Sequence, residues 1–318
     1  MLLTNGVKFL AQNFLNMDNI GEHIVKEQNT DRAIRYLAAQ KQLYSIGKCT
    51  FAFQVLIAVP IPIAISVFSI FFKEIQENLN WIFISYTIIA TFLEFQLEDK
   101  STKLKKIAAS IQEKFDTKVL KIKWNDVLIP FPTEDEIVFR YYRIFLKKKS
   151  IDKLYDWYSP EVKVIKSNIA SLLCQRINST YDFTLRHRYT NLIVIMTITT
   201  FLFFLLSAQY YDLSVISFIT NVLFPSLPVF VLAKKQISSN KDSIENLSEL
   251  KSLIEDRFSK LQSINDVIPP KILRQIQDKI YLKRINSPLL PDWSYNFLRS
   301  QLEEEMHFTV KEKIDNLK

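Results

Sequence analysis

The chain has 318 residues, 48% of them hydrophobic and 23% charged, and a formal net charge of +8. Its glycines are Gly6, Gly21 and Gly47 alone, so the phosphate-cradling loops of the P-loop and dinucleotide types, which need several glycines for close backbone approach, are excluded. The histidines, His23, His187 and His307, stand far apart with no Cys or Asp partner at metal-ligand spacing, and no Ser-His-acid or Cys-His grouping is visible, so neither an enzyme nor a metal protein is expected.

Apolar residues collect in four blocks, Phe51–Phe72, Trp81–Leu97, Leu192–Leu206 and Leu213–Ala233. A helix rises ~1.5 Å per residue and the hydrocarbon core is ~30 Å thick, so ~20 residues cross it. The first and last blocks meet that length. The second and third meet it when Asn80 to Glu98 and Thr190 to Gln209 are included.

Taken in chain order, residues 1–20 carry Lys8 but no clean apolar core and no small-residue cleavage site, so no signal peptide is expected. Residues 1–50 form an N-terminal helical region, with a helix from Ile20 to Thr50 running into the first block. Residues 51–97 make a first transmembrane hairpin linked at Lys73–Asn80, its first span kinked by Pro60 and Pro62. Residues 98–189 make a middle domain. There the second span continues outward with Leu97, Leu104, Ile107 and Ile111 on one face. The stretch "KVLKIKWNDVLIPFP" predicts a short extended piece. Thr133 caps a helix to about Lys149, with Glu134 and Glu136 in its first turn. "YDWYSP" is a turn, and Pro160 starts the long helix that enters the third block.

That long helix, "CQRINSTYDFTLRHRYTNLIVIMTITTFLFFLLS", passes from charged to apolar with no Gly or Pro between. It reads either as a transmitter of events into the bilayer or as a static stalk. Asp182 and Arg186 are spaced to pair across one turn as an exposed ion pair. Residues 190–233 make a second hairpin, with Pro225 and Pro228 kinking the fourth span. In residues 234–318, Ile237, Ile244, Leu247, Ile254, Phe258 and Leu261 form a coiled-coil-like seam. The seam either pairs chains or packs on its own domain. Two further helices, "IPPKILRQIQDKIYLKR" and "DWSYNFLRSQLEEEMHF", flank the "INSPLLP" turn.

Basic residues set the orientation. Arg32, Arg35, Lys41 and Lys48 precede the first span, and Lys100, Lys103, Lys105 and Lys106 follow the second. Arg176, Arg186 and Arg188 precede the third, and Lys234 and Lys235 follow the fourth, whereas the short links hold only Lys73. The expected fold is an all-α membrane protein with four transmembrane helices in two hairpins, a mostly helical cytoplasmic domain and both termini cytoplasmic. The net charge then reads as topology and attraction to anionic lipid, with the lipid bilayer as partner and no nucleic acid. Cys49 and Cys174 fall on the cytoplasmic side, where disulfides rarely persist, so packing is their expected role.

Polar residues in the spans recur at helical spacing. Thr87, Thr91, Glu94 and Glu98 share one face of the second span, and Thr190, Thr197, Thr200 and Ser207 share one of the third. They read as a packing surface or as pore lining. Glu94, a carboxylate inside a span, needs water or a partner. Four spans pack into a nearly solid bundle, so a pore implies several chains, a homo-oligomer.

The stretches "LAAQKQLYSIGK", "EKFDTKVLKIKWND", "LYDWYSPEV", "LLCQRINSTYDFTLRHRY" and "IQDKIYLKRINSPLLPDWSYNFLRSQLEEEM", with the two-plus-two span layout, resemble the SMODS-associated four-transmembrane effector family over nearly the whole chain. The resemblance implies a bacterial inner-membrane effector of the anti-phage CBASS systems. Such a protein is switched on by a cyclic oligonucleotide from a partner nucleotidyltransferase and permeabilises the membrane in abortive infection, with that messenger as activating ligand and no cofactor. The rival readings are a membrane-anchored, non-conducting scaffold or sensor and a constitutive ion channel. A phosphate-bearing messenger needs Arg or Lys forks and aromatic faces. Arg176, Arg186 and Arg188 with Trp157 and Tyr158 offer those types, as do Arg140 and Arg143; lipid anchoring and surface solvation are the plain alternatives.

Overall fold

Helix starts follow the side chains able to cap them. Asn19 accepts from the Glu22 amide at 3.1 Å and opens α1, Ile20–Glu27. Thr30 accepts from the Ala33 amide at 3.4 Å and opens α2, Asp31–Ala58. The sequence predicts one helix here, and the break between the two has a cause. The fully buried Gln28 side chain donates to the Tyr158 carbonyl at 3.1 Å and accepts from its amide at 2.7 Å, and these bonds hold the chain at a corner. The computed structural model describes residues 19–292, 304–305, 308–309 and 311–317. Among them there is no strand, and the helix expected at "DWSYNFLRSQLEEEMHF" lies almost wholly outside them.

The remaining helices follow in order. α3, Pro60–Phe71, continues α2 past a break at Val59, where Pro60 lacks the amide that would extend the ladder. α4, Lys73–Val119, is one uninterrupted helix of 47 residues. α5 is Asp135–Leu146. α6, Ile169–Tyr210, is continuous through the change from charged to apolar residues, with no hinge. α7, Val215–Phe218, leads through a π-turn at Ile219–Leu223 into α8, Phe224–Ser259. α9 is Pro270–Asn286. The π-turn sits just before Pro225. Ser66 on α3 donates to the Val222 carbonyl at 2.9 Å, so the irregular turn keeps its backbone satisfied inside apolar surroundings.

Three expectations for the middle domain are corrected. In "KVLKIKWNDVLIPFP", Lys118 and Val119 finish α4 and the rest is an irregular loop with Lys121 at positive φ, held by Asn125, which donates to Asp278 at 3.0 Å. Thr133 does not cap α5; Glu134 holds the cap position, and the Thr133 amide donates to Ser110 at 3.2 Å. Pro160 opens a 3-10 turn, Pro160–Val164, rather than the long helix, whose start waits until Ile169.

Among the described residues, three helical stretches are long and apolar enough to cross a membrane: Asp31–Phe71, Ile169–Tyr210 and Val215–Ser259. The sequence predicts four. The fourth candidate, Trp81–Leu97 within α4, is diluted by Glu94 and Gln96, although it turns Ile88, Ile89, Phe92 and Phe95 outward.

Outside the apolar stretches, α2 packs along α4, α5 lies on α2, and α9 wedges among α4, α6 and α8. The core they share includes Leu37, Leu43, Ile111, Phe115, Leu172, Ile254 and Ile276, all fully buried. Part of the seam on α8 belongs to this core: Ile254 and Phe258 are buried in it and Leu261 packs against it, while Leu247 is buried elsewhere in the same chain and Ile237 and Ile244 are half-buried. Cys174 is buried in the same core, and Cys49 is exposed.

Candidate functional site

The polar face of α4 turns inward in part. Thr87 and Glu94 are buried, 6% and 8% exposed, although neighbours on both sides point outward. Gln54 on α2 donates to Glu94 Oε1 at 3.3 Å. Glu98, half-buried one turn on, pairs with Lys235 of α8. Each carboxylate therefore has a partner from another helix, which offsets the cost of carrying charge at the edge of an apolar zone. Thr91 is exposed and bonds back to the Thr87 carbonyl at 2.8 Å, as Thr87 does to Phe83 at 3.0 Å. Thr197 and Thr200 sit on α6, which packs along α8, and bond back to Ile193 at 2.7 Å and Met196 at 2.9 Å. The structure thus joins Glu94 and Glu98 with α2 and α8, and leaves the α6 threonines apart from them.

The basic and aromatic candidates fall in separate places. Arg140 and Arg143 are exposed on α5, with the Arg143 guanidinium 6.0 Å from the Phe139 ring centre. Trp157 is half-buried. Tyr158 is fully buried, its ring stacked on Phe115 and its hydroxyl donating to Asp116 at 2.7 Å. Arg176 pairs with Glu255 at 2.5 Å, and Lys313 meets the same carboxylate at 2.7 Å. Arg188 is exposed where α6 turns apolar. Arg186 is 6% exposed and uses its whole fork: Asp182 at 2.7 Å, Asn240 of α8 at 2.8 Å and the Pro288 carbonyl at 3.1 Å. The Asp182–Arg186 pair forms as the spacing predicts, but it is buried and shared with Lys283, not exposed.

Two clusters escaped the sequence reading. In the first, α4 sends Glu113 and Asp116, both 0% exposed, toward α9. Arg274 holds Glu113 at 2.7 Å, Arg284 holds Asp116 at 2.6 Å, and Gln277 donates to both at 2.8 and 3.0 Å. Burial, together with the Asp116 charge, pushes the Glu113 carboxyl above its usual range despite Arg284 and Arg274. Burial opposes the Arg284 charge, yet Asp116 and its neighbours outweigh it and hold the guanidinium firmly protonated. Local spacing gave no signal: Glu113 and Asp116 lie three apart on a face roughly opposite Ile111 and Phe115, where acids read as solvated.

The second cluster adds Lys105 and Lys283 to Asp182 and Arg186. Lys105 is 9% exposed, and its ammonium donates to the Ser287 carbonyl at 2.8 Å. Burial, with the Arg186 charge nearby, lowers its pKa to about 8. Burial likewise lowers that of Lys283, with Asp182 opposing. Two open clefts, lined by residues between Leu206 and Phe218, lie at the far ends of the α6 and α8 apolar runs, away from both clusters.

These features define a class: an all-helical membrane protein whose apolar helices run without a joint into a charged, densely bonded domain. The chain belongs to the SMODS-associating 4TM effector domain family, whose model matches residues 22–313. It is also 26% identical over 291 residues to a protein of Bacillus cereus (strain VD146) named as a probable CBASS effector molecule, covering 89% of this chain and 95% of that one. No solved structure matches it.

Proposed function

We propose that the protein is a CBASS effector of the bacterial inner membrane, activated by a cyclic oligonucleotide from a partner nucleotidyltransferase to oligomerise and permeabilise that membrane, ending in abortive infection. Family membership and the B. cereus relative support the effector role. The observation that carries the pore reading is the inward, partnered placement of Thr87, Glu94 and Glu98 on the polar stripe of α4. In a single copy, Glu94 rests on Gln54 and Glu98 on Lys235. Several copies that turn this stripe to a shared axis would place a ring of carboxylates in water, as cation channels do. The ligand drives that shift by binding the open assembly better than the closed chain.

In this reading α4 crosses as the second of four spans. Its outward face carries Trp81, Ile88, Phe92 and Phe95, each more than 60% exposed. Phe71, Trp81, Tyr210 and Tyr211 then mark the outer interface, and Lys48, Lys100, Lys103 and Lys234 the cytoplasmic one. Labelling of single cysteines from outside intact cells is expected to reach replacements at Asn78 and Asp212 and to miss those at Ser110 and Ser259. Labelling of the latter pair sinks the topology.

Purified protein in liposomes is expected to release a trapped dye when the matching cyclic oligonucleotide from a panel of di- and trinucleotides is added. Glu94→Gln is expected to lower cation over anion preference in bilayer recordings, and Thr91→Trp to block conductance without preventing assembly. Assembly without leakage across the whole panel favours the non-conducting scaffold instead. Conductance that ignores both substitutions moves the lining to the Thr197–Thr200 face.

A further inference from the structure

The segment that follows α9, Ser287 to Asp292, is tied to every helix that leaves the apolar zone. Its Ser287 carbonyl accepts from Lys105 on α4 at 2.8 Å. Its Pro288 carbonyl accepts from both terminal nitrogens of Arg186 on α6, at 3.1 Å each. Leu290 packs on Leu185 and Tyr189 of α6. Leu289 fits against Gly47 of α2 so closely that a Cβ there would stand 2.8 Å from its Cδ1. Asp292 pairs with Lys48 of α2 at 2.6 Å. Arg186 extends the tie to Asn240 of α8 at 2.8 Å. In a chain so poor in glycine, Gly47 keeps open the space that this strap fills.

The charge in the strap's seat is unbalanced. Arg186 and Lys283 share one carboxylate, Asp182. Lys105 stands beside Arg186 with a backbone carbonyl and no carboxylate partner among the described residues. Ser287 caps α9 in an extended conformation, so its carbonyl is an ordinary neutral peptide acceptor, which answers a full cation only in part. A phosphate oxygen bears full charge, makes shorter charge-assisted bonds and engages a guanidinium fork two-fold.

We propose that Lys105, Arg186 and Lys283 form a phosphate-binding site whose resting occupants are the Ser287 and Pro288 carbonyls, so that an arriving phosphate displaces the strap from α2, α4 and α6. The displacement rests on the effector reading only for its consequence, which is to free the ends of the spans so that the α4 stripe can turn outward. Two sources bring the same chemistry. One is a soluble phosphodiester. The other is the headgroup of an anionic lipid, because the apolar run of α6 starts near Thr190, about 6 Å along the helix from Arg186.

The test uses the full chain in phosphatidylcholine nanodiscs, in a Cys49→Ser background, with Leu290→Cys as a reporter of strap release. Leu290 is 7% exposed, so its replacement reacts slowly with a water-soluble maleimide while the strap is seated. Inorganic pyrophosphate is expected to speed labelling by about tenfold or more, as for a local opening made dominant by a ligand. The same rise on adding phosphatidylglycerol to the nanodisc, without pyrophosphate, assigns the site to a lipid headgroup. Lys105→Met removes one cation and leaves Asp182 paired, so it folds, and it is expected to abolish the rise.

No rise in either arm overturns the proposal, as does a rise that persists in Lys105→Met. Dye release that responds to messenger equally with and without Lys105→Met overturns the site and leaves the effector reading standing. Strap release that never leads to dye release leaves the site standing and overturns the pore.

Discussion

Replacing Asp116 with Ala is expected to destabilise the polar domain by about 3–5 kcal/mol, the cost of leaving a buried cation without its carboxylate. Asp116 is fully buried, and three groups from two other elements converge on it: Arg284 and Gln277 from α9, and the Tyr158 hydroxyl from the loop before the 3-10 turn. Truncation strands all three donors at once. Glu113→Gln is expected to cost less, although Glu113 is equally buried. Its surroundings already oppose its charge, which raises its pKa, and Gln keeps an oxygen for Arg274. Urea unfolding of the detergent-solubilised protein, followed by loss of buried tyrosine signal, measures both. If Glu113→Gln costs as much as Asp116→Ala, or if Asp116→Ala leaves the midpoint in place, the network does not hold α9 to α4.

Lys235→Glu is expected to make the protein leaky without any messenger. Lys235 is the one partner in contact with Glu98 among the described residues, and the charge of Glu94 also acts on it. The substitution replaces an attraction by three carboxylates crowded at the edge of the apolar zone. A partly solvated pair of this kind is worth only about 1 kcal/mol, so simple loss in Lys235→Met is a mild change. Repulsion in poorly solvated surroundings is larger, and the closed arrangement relieves it only by turning α4 away from α8. The charge reversal Glu98→Lys together with Lys235→Glu restores an attraction and is expected to restore a tight membrane. Dye-loaded liposomes report this directly. A tight Lys235→Glu protein, or a leaky double variant, removes the Glu98–Lys235 contact from the closing device.

The extent to which the sequence foretold these features varies by element. Composition and periodicity placed α6 correctly as one helix across two solvents, because nothing between Cys174 and Ser207 breaks a helix. The Asp182–Arg186 pair was legible because i, i+4 spacing is local geometry. The corner at Gln28 was not, because its cause is a pair of bonds to Tyr158, a residue 130 positions away. For the same reason Thr133, a good capping type, is displaced by a backbone bond to Ser110 that no local pattern announces.

What the sequence by itself determined is the partition of the chain between two solvents. Apolar blocks of crossing length, basic flanks and the scarcity of glycine follow from composition, and the helical state follows from periodicity. What only the tertiary structure decided is which polar groups meet. The inward turn of Thr87 and Glu94, the fate of the α8 seam, the buried Glu113–Asp116 cluster and the strap across Lys105, Arg186 and Gly47 all depend on partners far apart in sequence. Helical spacing states which residues share a face, but a face acquires its role from the surface packed against it. That surface is settled by the burial of the shared core, a property of the whole chain and not of any segment.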